Sequence, residues 1–210
     1  MRMPVGNIIL LVAAILIYFG IAQRVLDRMR LTDRAALSVV GLLIVGSWIN
    51  VTILREPTEL IVNVGGALVP LGVAVYLLVT ADEVREKLRG TAAAVITGGA
   101  VYLAIKVLNP EEQTMFMEPM YVFAIIAGII GYLAGRSRRA AFIAGTVGML
   151  LADVFHFIEL RLANLSGRTW LGGAGAFDAV VIAGLIAVIL AEVVGEARER
   201  LAPEQGGENA

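Results

Sequence analysis

The chain of 210 residues contains no cysteine and one histidine. Without cysteine there is no disulfide, no thiolate metal site and no cysteine nucleophile. With His156 as the sole imidazole, a metal centre would rest mostly on carboxylates. Charge is scarce too: Asp, Glu, Lys and Arg make up 17% of the residues, and the formal net charge of -1 argues against a generally basic nucleic-acid binder. No internal repeat or matching pair of interrupted helices stands out, so the usual sequence pointer to a secondary transporter is weak.

Apolar residues dominate instead. They make up 59% of the chain, with a mean hydropathy of +0.83, above the roughly half apolar composition of a soluble domain. Long apolar runs alternate with short clusters of Arg and acid, the pattern of a chain that crosses a bilayer repeatedly. The run from Val5 to Ala22 is long for a signal peptide, and its basic cluster follows it, so it reads as a retained first helix.

A span needs about 20 mainly apolar residues. Seven are expected, at 5–22, 35–54, 60–80, 91–108, 119–135, 140–160 and 172–194. The connections carry turn or charge punctuation, as at Arg55-Glu56-Pro57, Asn109-Pro110 and Gly135-Arg136, and are too short for another domain. The expected fold is therefore an all-α, polytopic membrane helix bundle over residues 1–202, with a polar, disordered tail at 203–210. The acidic outer loop from Asn109 to Met120 reads equally as lid, docking surface or linker. Gly128, Gly131, Gly135, Gly145 and Gly148 are expected at close helix contacts.

Lys and Arg in short loops set the orientation, because they are kept preferentially on the cytoplasmic side. One face receives twelve: Arg24, Arg28, Arg30, Arg34, Arg85, Lys87, Arg89, Arg136, Arg138, Arg139, Arg198 and Arg200. The other receives four, Arg2, Arg55, Arg161 and Arg168, while Lys106 lies within a span. The expectation is a multi-pass protein of the cell membrane with its N-terminus outside and its C-terminus in the cytoplasm.

Buried polar residues carry the functional information in such a chain, because a charge near the bilayer centre costs at least a few kcal/mol. They are Asn50, Asn63, Lys106, Asp153, His156 and Asp178. At 1.5 Å per residue, Asp153 on the sixth span and Asp178 on the seventh both lie about 20 Å from the cytoplasmic side. Asn50, Asn63, Lys106 and His156 fall farther out, which together suggests a polar cavity in the outer half. Snorkelling of Lys106, an interfacial His156 and Glu159, and helix bridging by the asparagines are the structural alternatives.

Two close carboxylates in a low-dielectric site share a proton and so hold an acid and a base together. That equips a pair for peptide hydrolysis through an activated water, with no cofactor and no metal. Asp153 and Asp178 are the candidate catalytic residues. Gly173, Gly175, His156, Asn63 and Lys106 are the candidate substrate-binding residues, the two glycines by allowing an extended substrate to approach the backbone.

The stretch Gly172-Gly173-Ala174-Gly175-Ala176-Phe177-Asp178 resembles the Gly-x-Gly-Asp region of presenilin and signal peptide peptidase proteins. In those proteins the two aspartates also lie on the sixth and seventh spans. The resemblance implies intramembrane aspartyl proteolysis of a transmembrane peptide, and the expected orientation of the two spans is similar to that of signal peptide peptidase. It covers about 45 residues. Here the spacing is Gly-x-Gly-x-x-Asp, Asp153 follows Ala152 where the family has Tyr-Asp, and the Pro-Ala-Leu motif of the last helix is absent. Asn63-Val64-Gly65-Gly66-Ala67-Leu68-Val69-Pro70, Ala152-Asp153-Val154-Phe155-His156 and Gly172 to Asp178 together resemble a family of uncharacterised bacterial and archaeal membrane proteins, which implies a shared fold and no activity.

Three other readings use the same residues. Asp153, Asp178, His156 and Lys106 form a proton or cation relay in a transporter, with Gly65, Gly66 and Pro70 breaking the third span. Asp153, His156 and Asp178 ligate a metal, the weakest of the readings because one imidazole is present. Alternatively the acids only fix helix register. The lipid bilayer is the one partner common to all of them, and nothing in the sequence sets the number of subunits.

Overall fold

The computed structural model describes residue 29, residues 31–108 and residues 117–201. The expected span at 5–22, most of the outer loop and the expected tail at 203–210 lie outside the described residues.

Along the described chain run α1 (Asp33–Gly46), β1 (Asn50–Leu54), β2 (Thr58–Asn63), a π-helical turn (Val64–Leu68) and α2 (Val69–Val79). They are followed by α3 (Val84–Leu108), α4 (Pro119–Gly135), α5 (Arg138–Leu162), β3 (Gly167–Leu171), a 3-10 turn (Gly175–Phe177) and α6 (Ala179–Leu201). The fold is mostly helical but not all-α. A three-stranded sheet has the order β1-β2-β3, with β1 antiparallel and β3 parallel to the central β2.

Among the described residues three helical segments are long and apolar enough to cross a membrane: Val84–Leu108, Arg138–Leu162 and Ala179–Ala197. The 25 residues of α5 reach about 37 Å, more than the roughly 30 Å hydrocarbon core. The 14 residues of α1 reach only about 21 Å.

The sequence expectation needs correction at three spans. Residues 35–54 are helical only to Gly46 and end as β1, residues 60–80 begin inside β2, and 172–194 become α-helical only at Ala179. Apolar runs satisfy a hydropathy window in either conformation, and here β-branched residues decide the strands: Val51-Thr52-Ile53 in β1 and Ile61-Val62 in β2. Gly65 and Gly66 then let the chain turn back into helix. By contrast, the expected span 119–135 coincides with α4, which starts at Pro119 in its first turn.

The long helix α5 forms the hub of the bundle, packing against α2, α3, α4 and α6 and reaching β2 and β3. Its buried side includes Ala140, Ala144, Gly145, Thr146, Gly148 and Ala152, small residues that let neighbouring backbones approach. A Cβ added at Gly145 would stand 2.8 Å from the Ala183 carbonyl oxygen of α6. At the opposite end from the sheet, α5 is joined electrostatically to its neighbours: Arg138 pairs with Glu192 of α6, and Arg139 with Glu86 of α3 at 3.8 Å.

Candidate functional site

The site forms where two interrupted elements meet. Entering from α1, the chain turns at Ser47 into the β1–β2 hairpin and resumes helix through the π turn; entering from β3, it passes Gly172 and the 3-10 turn into α6. The π and 3-10 turns pack together. Their contact is made through bare backbone. A Cβ on Gly66 would collide with the Gly172 carbonyl oxygen and lie 2.7 Å from that of Gly175. Gly172 and Gly175 themselves take φ +70° and +65°, a left-handed backbone that favours glycine.

Polar side chains lock this junction. Asn63 is 1% exposed; its Oδ1 accepts from Gly66 N at 2.8 Å, capping the π turn. Its Nδ2 donates to Ser47 O at 2.9 Å and to Asn50 Oδ1 at 2.8 Å. The hydroxyl of Ser47 donates to Leu43 O at 2.6 Å and accepts from Ala176 N at 2.7 Å, bridging the end of α1 to the 3-10 turn.

Asp178 is the N-cap of α6. Its backbone is extended (φ -64°, ψ 153°), its Oδ1 accepts from Val180 N and its Oδ2 from Ala174 N, each at 3.0 Å. A helix start leaves unsatisfied N–H groups that such a carboxylate suits. One carboxylate therefore closes the preceding loop onto the helix.

Asp153 lies inside α5, and among the described residues no hydrogen bond or ion pair reaches its carboxyl. Its direction follows from helix periodicity. Thr146 lies two turns earlier on the same face, and its Oγ1 fills the space where Gly184 of α6 lacks a side chain. Asp153 therefore points toward the extension of α6, where Asp178 sits. Depths agree as well. Asp153 follows Arg138 by fifteen residues and Asp178 precedes Glu192 by fourteen, so both stand about 21–23 Å from that ion pair.

The remaining candidates separate from the two aspartates. Lys106 pairs with Glu159, Tyr102 OH donates to Glu159 Oε2 at 2.8 Å, and His156 Nδ1 lies 3.9 Å from that carboxylate. This cluster is half exposed at the end of α3 and α5, beside an open groove of about 770 Å³ lined by Gly99, Tyr102, Leu103, Phe155 and Ile158. Gly173 is exposed next to Trp170, whereas Gly175 is buried against Ser47. Among the described residues no three His, Asp or Glu side chains converge as metal ligands.

Sequence reasoning missed Ser47, hidden inside an apparently continuous apolar helix. It also missed Thr97 and Thr146, both fully buried with hydroxyls that find no hydrogen-bond partner among the described residues. The signal available was the Gly46-Ser47 pair before a β-branched run.

No curated protein and no solved structure matches the chain. A family model does match, over residues 21–190, which contain α1 to α5, the sheet and both aspartates. The chain therefore belongs to the DUF1614 family, described as proteins of unknown function.

Proposed function

We propose that this protein is an intramembrane aspartyl hydrolase whose catalytic pair is Asp153 and Asp178, and whose substrate is a transmembrane peptide. The observation that carries the proposal is the placement of two acids at about one depth from the same ion pair, on neighbouring antiparallel elements, one of them with no hydrogen-bond or ion-pair partner among the described residues. Intramembrane acids are rare and commonly mark function. The similarity of Gly173-Ala174-Gly175-Ala176-Phe177-Asp178 to the Gly-x-Gly-Asp region of intramembrane aspartyl proteases supports the same reading.

Two backbone amides donate to Asp178 and none to Asp153, so a proton shared by the pair resides on Asp153. Asp178 then takes a proton from a water whose oxygen attacks the scissile carbonyl carbon, while Asp153 gives its proton to the carbonyl oxygen. Return of the proton from Asp178 to the amide nitrogen breaks the C–N bond while Asp153 takes its proton back from the hydroxyl it had formed, which leaves a carboxylic acid, an amine and the pair in its starting state. Of the junction's glycines Gly173 is exposed, and its bare backbone is the one an extended chain can approach near Asp178.

The proposal includes topology: seven passes, three of them part strand or turn, with the N-terminus outside and the C-terminus in the cytoplasm of a cell-membrane protein; the distribution of Lys and Arg supports the orientation. The test of activity is cleavage of reconstituted transmembrane peptides by the wild type and by D153N and D178N. Cleavage by either variant at the wild-type rate removes the hydrolase.

A second reading, proton- or cation-coupled transport, draws on the interruption of α1 and of the chain before α6 within the apolar region, since broken elements line many transport sites. Flux that depends on pH or potential, without peptide cleavage, favours it.

A further inference from the structure

At the end of the bundle away from the sheet, a cavity of about 280 Å³ lies between the start of α3, the α4–α5 turn and the last turns of α6. Arg136, Arg138 and Arg139 line it on one side, Glu86, Ala191 and Gly195 on the other. Two of the three guanidinium groups are compensated. Arg138 is paired with Glu192, and Arg139 with Glu86, which also accepts from Ser137 Oγ at 2.9 Å.

Arg136 is different. It is exposed at the lip of the cavity, and among the described residues no carboxylate pairs with it. The cavity thus carries one uncompensated positive charge with arginine geometry, suited to a singly charged phosphodiester. Gly195 keeps the α6 wall open: a Cβ there would find only Arg138 Nη2, at 3.9 Å.

We infer that this cavity binds the headgroup of an anionic phospholipid, its phosphodiester held by Arg136 over the Arg138–Glu192 and Arg139–Glu86 pairs. Basic pockets between membrane helices suit such headgroups. The proposed orientation serves only to assign the lipid to the cytoplasmic leaflet; binding itself does not depend on it or on the aspartates.

Native mass spectrometry of the full chain in detergent, titrated with phosphatidylglycerol or phosphatidylcholine, tests the site. The wild type retains phosphatidylglycerol about fivefold better, the scale expected for one interfacial arginine. Arg136→Gln abolishes that preference. Gly195→Leu abolishes it as well, by filling the cavity without altering a charge, and both variants keep the wild-type melting temperature. Inorganic phosphate in excess leaves the lipid bound. A preference that survives both substitutions shows diffuse surface attraction and overturns the site, and displacement by inorganic phosphate overturns the lipid as its ligand.

Discussion

Arg138 and Glu192 form an ion pair with side chains only 11% and 15% exposed, joining the first turn of α5 to α6. The pair fixes the relative height of the two helices. Everything above it, including the matched depth of Asp153 and Asp178, inherits that register. Removing one partner leaves the other charged and largely buried, so Glu192→Ala costs about 2–3 kcal/mol. The double variant R138A/E192A costs less than the sum of the single changes, and thermal unfolding of the four proteins in one detergent reads the coupling.

Asp178 combines a cap with a proposed catalytic role, and substitutions separate the two. Asn keeps one acceptor oxygen where two are used, so D178N lowers stability by about 1 kcal/mol. D153N, which breaks no hydrogen bond, leaves stability nearly unchanged. Both lower peptide cleavage at least about 100-fold, the low end of general acid–base contributions. Melting curves and cleavage rates of the same preparations supply the comparison.

Gly66 has no space for a side chain, whereas at Gly72 and Gly99 an added Cβ meets nothing within 4 Å among the described residues. Gly66→Ala therefore destabilises by about 1–3 kcal/mol, as forced overpacking does. Gly72→Ala and Gly99→Ala are neutral or stabilising by helix propensity. If all three variants melt alike, the backbone contact of Gly66 with Gly172 is wrong.

Asn63 serves three partners from a buried position. Asn63→Ala orphans the Gly66 N–H and the Ser47 carbonyl, costing about 2–4 kcal/mol at 1–3 kcal/mol per unsatisfied group, discounted for relaxation. Ser47→Ala orphans only the Ala176 N–H and costs about half as much. Denaturation of the two variants side by side gives the ratio.

The absence of cysteine makes orientation directly measurable. Ser166 lies in the exposed loop between α5 and β3, and Arg136 in the α4–α5 turn. With the proposed orientation, an impermeant maleimide labels Ser166→Cys in intact cells and Arg136→Cys only after permeabilisation. The reverse pattern inverts the protein.

Sequence reading reached the parts of this fold whose physics is local or one-dimensional. α4 is apolar from its initial proline to Gly135, and α5 is bracketed by Ser137 and Leu162; hydropathy and capping suffice for both. The sheet was not legible, because β1 and β2 hold apolar residues that a span also requires, and β2 pairs with a strand far along the chain. The locking role of Asn63 and Ser47 depends on that pairing, so reading them as residues of continuous helices missed it. Lys106 and His156 sit at plausible depths, yet Glu159 on the same helix as His156 gathers them into a separate cluster.

The parallel pairing of β2 with β3 bears on how the chain is made. Thr58 donates its hydroxyl to the carbonyl of Leu165 at 2.9 Å, across 107 positions. During synthesis β2 leaves the ribosome long before its partner, with α2 through α5 still to follow. One edge of β2 stays unpaired until then. Ordering by β3 is thus a late event, governed by loop closure over about half the chain. A nascent protein halted after α5 has Asp153, but neither a finished sheet nor Asp178, so the proposed catalytic pair is complete only when assembly ends.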